Sequence, residues 1–348
     1  MKNRIGLTRF LDCDAMAGLV RQVGILPLMQ QMLVAMREDY VRWPEFEKSA
    51  RLAVHSPVGV IELMPIADQN QFSFKYVNGH PGNPALGMPT VMAFGALADV
   101  ATGFPVLLSE MTILTGIRTA VASALAATVL ARKDARTMAM IGNGAQAEFQ
   151  ILAFAELIGI QQFYLFDTDP AATEKTIQNL RGFPVVECIP AMSAAEAMSR
   201  ADIITTATAD KTRAVIIRES DLRPGIHING IGGDCPGKTE LAAGVLEGAR
   251  VVVQYEPQTR VEGDMQQLSA EFRPVELWEI LAGRAEGRQS ADEVTIFDSV
   301  GFSIEDFSAL RTVWKLASIH DSGHTIELIP QLDDQKNLFG RLGISPPL

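Results

Sequence analysis

Two stretches of this sequence combine residue types at a spacing that could do chemistry. The first is Gly142-Asn-Gly-Ala-Gln-Ala147, which follows the apolar run Met138-Ala-Met-Ile141 and leads into a helical pattern with Phe149, Leu152, Ala153 and Leu157 on one face. A GxGxxA turn between strand and helix suits a dinucleotide pyrophosphate. The first glycine permits the tight turn, the second lets the backbone approach the phosphates, and the small third residue lets helix and strand pack closely. Amides at the helix N-terminus then hold the anion. Taken alone, the fingerprint fits a plain glycine-rich turn equally well. Context favours the nucleotide: the strand pattern Gln162–Phe166 ends at Asp167, near the roughly 20-residue offset where an acid accepts hydrogen bonds from the adenine ribose. A 2'-phosphate would be repelled there, and no arginine follows in Thr168-Asp169-Pro170. NAD is therefore expected over NADP, with a simple turn role for Asp167 as the alternative.

The second stretch is Gly230-Ile-Gly-Gly-Asp-Cys-Pro-Gly-Lys-Thr-Glu240, just after the strand pattern Ile226–Gly230. Catalytic groups in open parallel sheets lie beyond the carboxyl ends of the strands, and the glycines allow close backbone approach to a ligand. On spacing alone, Asp234 fits a turn-capping aspartate and a catalyst equally well. The pair His320 and His324 resembles a metal site only superficially: Gly323 weakens a helix there and no third ligand is evident. No metal is expected.

These candidates must be positioned by two kinds of architecture. From Met16 to Val41 apolar residues recur at helical spacing, and from Ala50 to Lys75 the period drops to two, as in antiparallel strands. Asp68-Gln-Asn70 reads as the turn of a hairpin. From Arg136 the chain repeats strand, turn and amphipathic helix, with strands predicted at Thr137–Ile141, Gln162–Phe166, Val185–Ile189, Ile203–Thr206, Ile226–Gly230, Val251–Gln254 and Val294–Phe297. Asp169-Pro170 and Ser193 with Glu196 mark helix starts. This alternation implies a mainly parallel sheet covered on both faces. The predicted class is α/β: a Rossmann-type NAD-binding domain over 119–311, and an α+β substrate-binding and dimerisation domain built from 1–118 and the tail 312–348. The tail, with no alternating unit of its own, is expected to return to the first domain.

Composition narrows the function. The formal charge of -11 and the lack of a basic run argue against a nucleic-acid partner, whose affinity rests on clustered Lys and Arg. The apolar stretch Thr119–Ala131 lies between Arg118 and Arg132, short of the roughly 20 residues of a membrane helix; it is predicted to be a buried helix opened by Arg118, and no membrane partner is expected. Asp12 and Asp14 interrupt any secretory signal core after Lys2 and Arg4. Cys13, Cys188 and Cys235 are widely spaced, without a zinc pattern, and read as thiols of a reducing cytoplasm.

Gly232-Gly-Asp-Cys-Pro-Gly-Lys-Thr-Glu-Leu241 resembles the signature of bacterial ornithine cyclodeaminases, within the ornithine cyclodeaminase and mu-crystallin family. The resemblance covers nearly the whole chain. It includes Lys48-Ser-Ala-Arg51, Gly59-Val-Ile-Glu-Leu-Met-Pro65, Phe74-Lys-Tyr-Val-Asn-Gly-His-Pro81, Gly142-Asn-Gly-Ala-Gln146, Tyr255-Glu-Pro-Gln-Thr-Arg260 and Phe297-Asp-Ser-Val-Gly301. It implies that NAD takes a hydride from the α-carbon of L-ornithine, the side-chain amine closes the ring, ammonia leaves, and the hydride returns to give L-proline. An NAD(P)-dependent amino-acid dehydrogenase, an imine reductase or a lysine cyclodeaminase would share the fold. A nucleotide-binding protein with little activity is the reading from another class.

The resemblance assigns roles residue by residue. Asp234 carries the proton of the side-chain amine, which is no nucleophile until a base deprotonates it. Arg51, Lys75 and Arg118 bind the substrate carboxylate, and the Val300 carbonyl lies beside the substrate amine. Glu62 serves as a second proton relay or simply points to solvent. Gly142, Asn143, Gly144, Ala145, Gln146, Asp167, Thr90, Thr208, Asn229, Gly232, Lys238 and Ser299 contact the cofactor. The resemblance also implies a homodimer joined through the first domain.

Overall fold

The computed structural model describes residues 6–183, 186–208 and 213–344. The chain opens with strand β1 (Thr8–Leu11) and helices α1 (Cys13–Val23) and α2 (Ile25–Val41). Strands β2 (Glu47–Lys48), β3 (Leu52–Ser56), β4 (Gly59–Ala67), β5 (Gln71–Gly79), β6 (Val91–Asp99) and β7 (Pro105–Glu110) follow, then the long helix α3 (Thr112–Leu130). Next comes an alternating run: β8 (Thr137–Ile141), α4 (Ala147–Leu157), β9 (Gln162–Phe166), α5 (Pro170–Leu180), β10 (Glu187–Pro190), α6 (Ala194–Ser199), β11 (Ile203–Thr206), β12 (Arg213–Ile217) and β13 (His227–Gly230). It continues through β14 (Thr239–Leu241), α7 (Ala243–Glu247), β15 (Arg250–Val253), α8 (Glu256–Glu262), β16 (Val275–Glu276), α9 (Leu277–Leu281) and β17 (Thr295–Asp298). Helix α10 (Ser303–His320) and strand β18 (His324–Ile326) complete it.

The first sheet has the order β18-β1-β7-β6-β5-β4-β2, with β3 also paired to β4. It is antiparallel except where β1 meets β7. The tail returns to it as expected, since Thr8 pairs with Ile326. The expected hairpin turn is present: the Asp68 carboxylate accepts the amides of Asn70 and Gln71, both at 2.8 Å. The second sheet runs β10-β9-β8-β11-β13-β17-β15-β16, parallel throughout. This is the predicted α/β class with a Rossmann-type sheet.

Period-two alternation explains why the second sheet is covered twice. Met138 and Met140 of β8 join the large core shared with α3, α4 and α10, whereas Ala139 and Ile141 join a smaller core under α6 and α7. Phe297 and Ile296 of β17 divide in the same way. The large core runs without interruption from Leu11 and Met64 to Leu165 and Phe297, so one apolar mass supports both sheets.

Four expectations are corrected. The helical region from Met16 to Val41 is two helices, meeting at 96° around Gly24. Arg118 does not open its helix. Helix α3 begins at Thr112 because the Glu110 carboxylate accepts the amides of Thr112 and Ile113 at 3.1 and 2.9 Å and satisfies its first turn. With 19 residues α3 is long and apolar enough to cross a membrane, contrary to the shorter reading, but 78% of that window is buried inside the protein. The strand expected at Val185–Ile189 runs instead from Glu187 to Pro190, and Val185 lies outside the described residues.

Candidate active site

The phosphate turn sits between β8 and α4. Gly142 has φ 93°, and a Cβ there would lie 2.6 Å from the Ala207 carbonyl oxygen, so only glycine fits. Gly144 and Ala145 are exposed, and a Cβ on Gly144 would meet nothing within 4 Å. Helix α4 has no side-chain cap at Gln146, which leaves its first amides available to an anion. Asp167 closes the turn from the end of β9 by accepting the Asn143 amide at 2.6 Å. The Asn143 side chain points inward and donates to Thr173 at 2.8 Å. Lys175, not anticipated, donates to the Gly144 carbonyl at 3.2 Å and places a cation beside the turn. An open glycine rim, an uncapped helix start and an acid at the next strand end fit NAD.

A chain of buried carboxylates braces the neighbouring loops. Asp298, at the end of β17, accepts the amides of Asp264 and Met265 at 3.0 and 2.8 Å. Asp264 accepts those of Glu240 and Leu241 at 2.7 and 2.8 Å. Glu240 accepts the Gly232 amide at 2.9 Å and both the amide and hydroxyl of Thr208 at 2.7 and 2.6 Å. Burial pushes the Asp298 carboxyl up to about 7. Burial, Asp298 and Glu240 together hold Asp264 well above the usual carboxylate range.

The cations expected to bind a carboxylate come from three separate elements and converge. Lys75, on β5, is 1% exposed, and its Nζ donates to Asp306 Oδ1 at 2.9 Å. Arg118 donates from Nη1 to Glu305 Oε2 at 2.6 Å, and its Nε lies 3.0 Å from Asp306 Oδ1. Gly301 has φ 74°, and a Cβ there would lie 2.7 Å from Arg118 Nη1, so this turn can only pass the guanidinium as glycine. Burial, with Arg118 beside it, lowers the Lys75 ammonium to about 8 against the opposing pull of Asp306.

Arg51 lies in the link between β2 and β3 rather than on a strand. Its Nη1 donates to Glu62 at 2.9 Å, its Nη2 to the carbonyls of Val300 and Gly301 at 2.5 and 2.7 Å, and its Nε lies 3.1 Å from Glu262. Glu62 is 5% exposed, so it faces inward rather than to solvent. The Val300 carbonyl thus already holds a cationic nitrogen. Burial raises the Glu262 carboxyl to about 7, with Arg51 opposing and Glu62 and Asp234 adding to the rise.

Asp234 is half exposed, and the Lys238 ammonium donates to it at 3.2 Å. Burial pulls that ammonium down, but Asp234 and Glu240 outweigh it and the net shift is upward. The Ser299 amide donates to the Gly230 carbonyl at 2.9 Å, and its hydroxyl accepts from Gln254 at 2.6 Å. Two further candidates have partners of their own. Asn229 spends its side chain inside the sheet on His227 and Thr205 at 3.2 and 3.3 Å. Thr90 lies before β6, where its carbonyl accepts the His80 amide at 2.9 Å.

Sequence reasoning did not single out Glu240, Glu262, Asp264, Asp298, Glu305 or Asp306. Glu240 and Asp298 stand inside quoted motifs. Glu305 and Asp306 look like ordinary acids of a helix's first turn, complementary to its dipole. Their burial, 0% and 1%, is what marks them.

A parallel dinucleotide sheet, a half-exposed acid beyond its strand ends and converging buried cations define an NAD-dependent enzyme acting on a small carboxylate substrate. The chain belongs to the ornithine cyclodeaminase/mu-crystallin family, whose profile matches residues 14–320. It is 49% identical to the ornithine cyclodeaminase of Brucella suis biovar 1 (strain 1330) over 342 residues, 97% of this chain and 94% of that one. Among solved structures it resembles a lysine cyclodeaminase studied for recognition of L-lysine, L-ornithine and L-2,4-diaminobutyric acid. The TM-score is 0.87 and the identity 32%, covering 96% of this chain and 99% of the other. An archaeal alanine dehydrogenase dimer with bound NAD matches with TM-score 0.84 and 30% identity over 93% of this chain and 100% of the other.

Proposed function

We propose that this chain converts L-ornithine to L-proline and ammonia with bound NAD used catalytically. The observation that carries the reading is the convergence of three buried cations: Lys75 and Arg118 share Asp306, Arg118 and Arg51 both meet the 300–301 turn, and Asp234 lies on the glycine-rich loop after β13. Among its relatives the cyclodeaminase of Brucella suis supports the same substrate.

Lys75, Arg118 and Arg51 receive the α-carboxylate, a planar anion suited to arginine forks beside an ammonium. Arg51 orders the wall of the pocket by tying Glu62 and Glu262 to the 300–301 carbonyls. Gly142, Gly144, Ala145, Gln146 and Asp167 hold the cofactor, with Thr208, Gly232 and Ser299 on the braced loops beside it. NAD, when bound, supplies the hydride acceptor and donor for the α-carbon. Asp234 takes the proton of the side-chain ammonium, and its half-exposed carboxylate can pass that proton to water. The neutral amine then adds to the α-carbon at its imine oxidation level, a proton passes from the newly bonded nitrogen to the α-nitrogen, the C–N bond to the α-nitrogen breaks, and ammonia leaves as the cyclic imine forms.

Residues 1–118 and 312–348 bind substrate and form the dimer, and 119–311 bind NAD. A homodimer is supported by the outer face of the first sheet, where Leu52, Val54, Ile61, Leu63, Phe72 and Phe94 are 38–71% exposed on adjacent strands, a patch that needs cover. The spaced cysteine thiols support a cytoplasmic site. The test is stoichiometry: L-ornithine with trace NAD yields equal ammonia and L-proline over many turnovers. NADH accumulating in step with product would replace this reading with a net dehydrogenase.

A further inference from the structure

Helix α10 begins with two buried acids that the reaction as described does not use. Asp306 is 1% exposed, and a single oxygen, Oδ1, lies 2.9 Å from Lys75 Nζ and 3.0 Å from Arg118 Nε. Its other oxygen, Oδ2, is buried with no hydrogen-bond partner among the described residues. Glu305 takes Arg118 from the next position, and Tyr40 and Gln254 hold Glu305 in turn at 3.1 and 3.2 Å. Two cations a few ångströms apart in a buried site repel each other strongly. An anion between them offsets this and fixes where they sit.

We propose that Asp306 is a positioning residue: its one carboxylate oxygen holds Lys75 and Arg118 side by side, and so presents them jointly to the substrate carboxylate. The inference rests on the functional reading above. The charged groups acting on Lys75 are Asp306 from α10, Arg118 from α3 and Arg51 from the link before β3. Two of these repel its proton and one retains it. Removing Asp306 lets Lys75 lose its proton at lower pH, and carboxylate binding weakens from that pH upward.

The test is Asp306→Asn, which keeps shape and removes the charge. Lys75 is titrated by NMR in [13C]lysine-labelled protein, its resonance assigned by its loss in Lys75→Arg. In parallel, the pH profile of kcat/KM for L-ornithine is measured. The expected result is a Lys75 midpoint lower by about one pH unit or more. At about pH 8, KM rises about fivefold or more and kcat falls less than KM rises. An unmoved midpoint, or a loss confined to kcat, overturns the proposal. If the amide variant does not fold, Asp306→Glu serves: its retained charge must leave the Lys75 midpoint near the wild-type value, and a midpoint that drops there overturns the proposal. If wild-type protein fails to turn over L-ornithine, the functional reading fails, while the Lys75 titration still decides the role of Asp306.

Discussion

The Gly232 amide donates to the Glu240 carboxylate at 2.9 Å. Because the same carboxylate also receives the Thr206 hydroxyl and both donors of Thr208, the glycine-rich loop and the 206–208 loop share one anchor. Glu240→Gln puts an amide nitrogen against donors, leaving at least one unpaired at about 1–3 kcal/mol. The expected outcome is NAD affinity weaker by about tenfold and a lower Tm, read by fluorescence titration and calorimetry. Unchanged NAD affinity would show that the loops hold without this brace.

Asp234→Asn should separate binding from turnover. An amide keeps the shape and the contact region but cannot take a proton from an alkyl ammonium. NAD binding should match wild type, while ammonia release from L-ornithine falls by about 100-fold or more. Near-normal turnover would remove Asp234 from this role.

Asp264 predicts how stability depends on pH. Its folded carboxyl holds a proton well above the usual range, whereas the unfolded chain releases it near about 4. Above that value the native state binds more protons than the unfolded state, so stability falls as pH rises toward the folded pKa. Asp298, raised to about 7, acts in the same direction. Asp264→Asn keeps an oxygen for the Glu240 and Leu241 amides and cannot ionise. The variant should lose less Tm than wild type between about pH 5 and about pH 8, measured by thermal melts. Parallel curves would mean that Asp264 titrates normally.

The exposed face of the first sheet predicts assembly. Val54 is 71% exposed on β3 beside Leu52 and Ile61, so Val54→Glu places a charge on an apolar surface that folding itself leaves open. Light scattering should show wild-type dimer and variant monomer, with monomer stability little changed. A dimeric variant, or a monomeric wild type, would move the interface elsewhere.

Much of the fold was legible because strands buried on both faces leave continuous apolar runs between helical patterns. Three strands, Thr137–Ile141, Gln162–Phe166 and Ile203–Thr206, occur where the sequence predicts them. The helix caps at Asp169 and Ser193 are also real, their side chains accepting the Ala171 and Glu196 amides. The start of α3 was not legible. Its cap, Glu110, is a long side chain at the end of a strand, without the short polar residue that usually marks a helix start. The break at Gly24 was hidden by apolar periodicity that continues across it.

The sequence by itself determined the nucleotide turn, the parallel sheet that positions it, and the family to which the chain belongs. Local spacing encodes these, because a strand-to-helix turn and a two-residue or 3.6-residue period involve only near neighbours. Tertiary structure alone decided which charges meet. Lys75 and Asp306 are 231 positions apart, and Arg118 and Glu305 are 187 apart. In sequence each is an isolated charge that could as well be solvated. Burying one without its partner would be costly, so their pairing follows from the packing of α10 against the first sheet and against α3 and not from any local pattern.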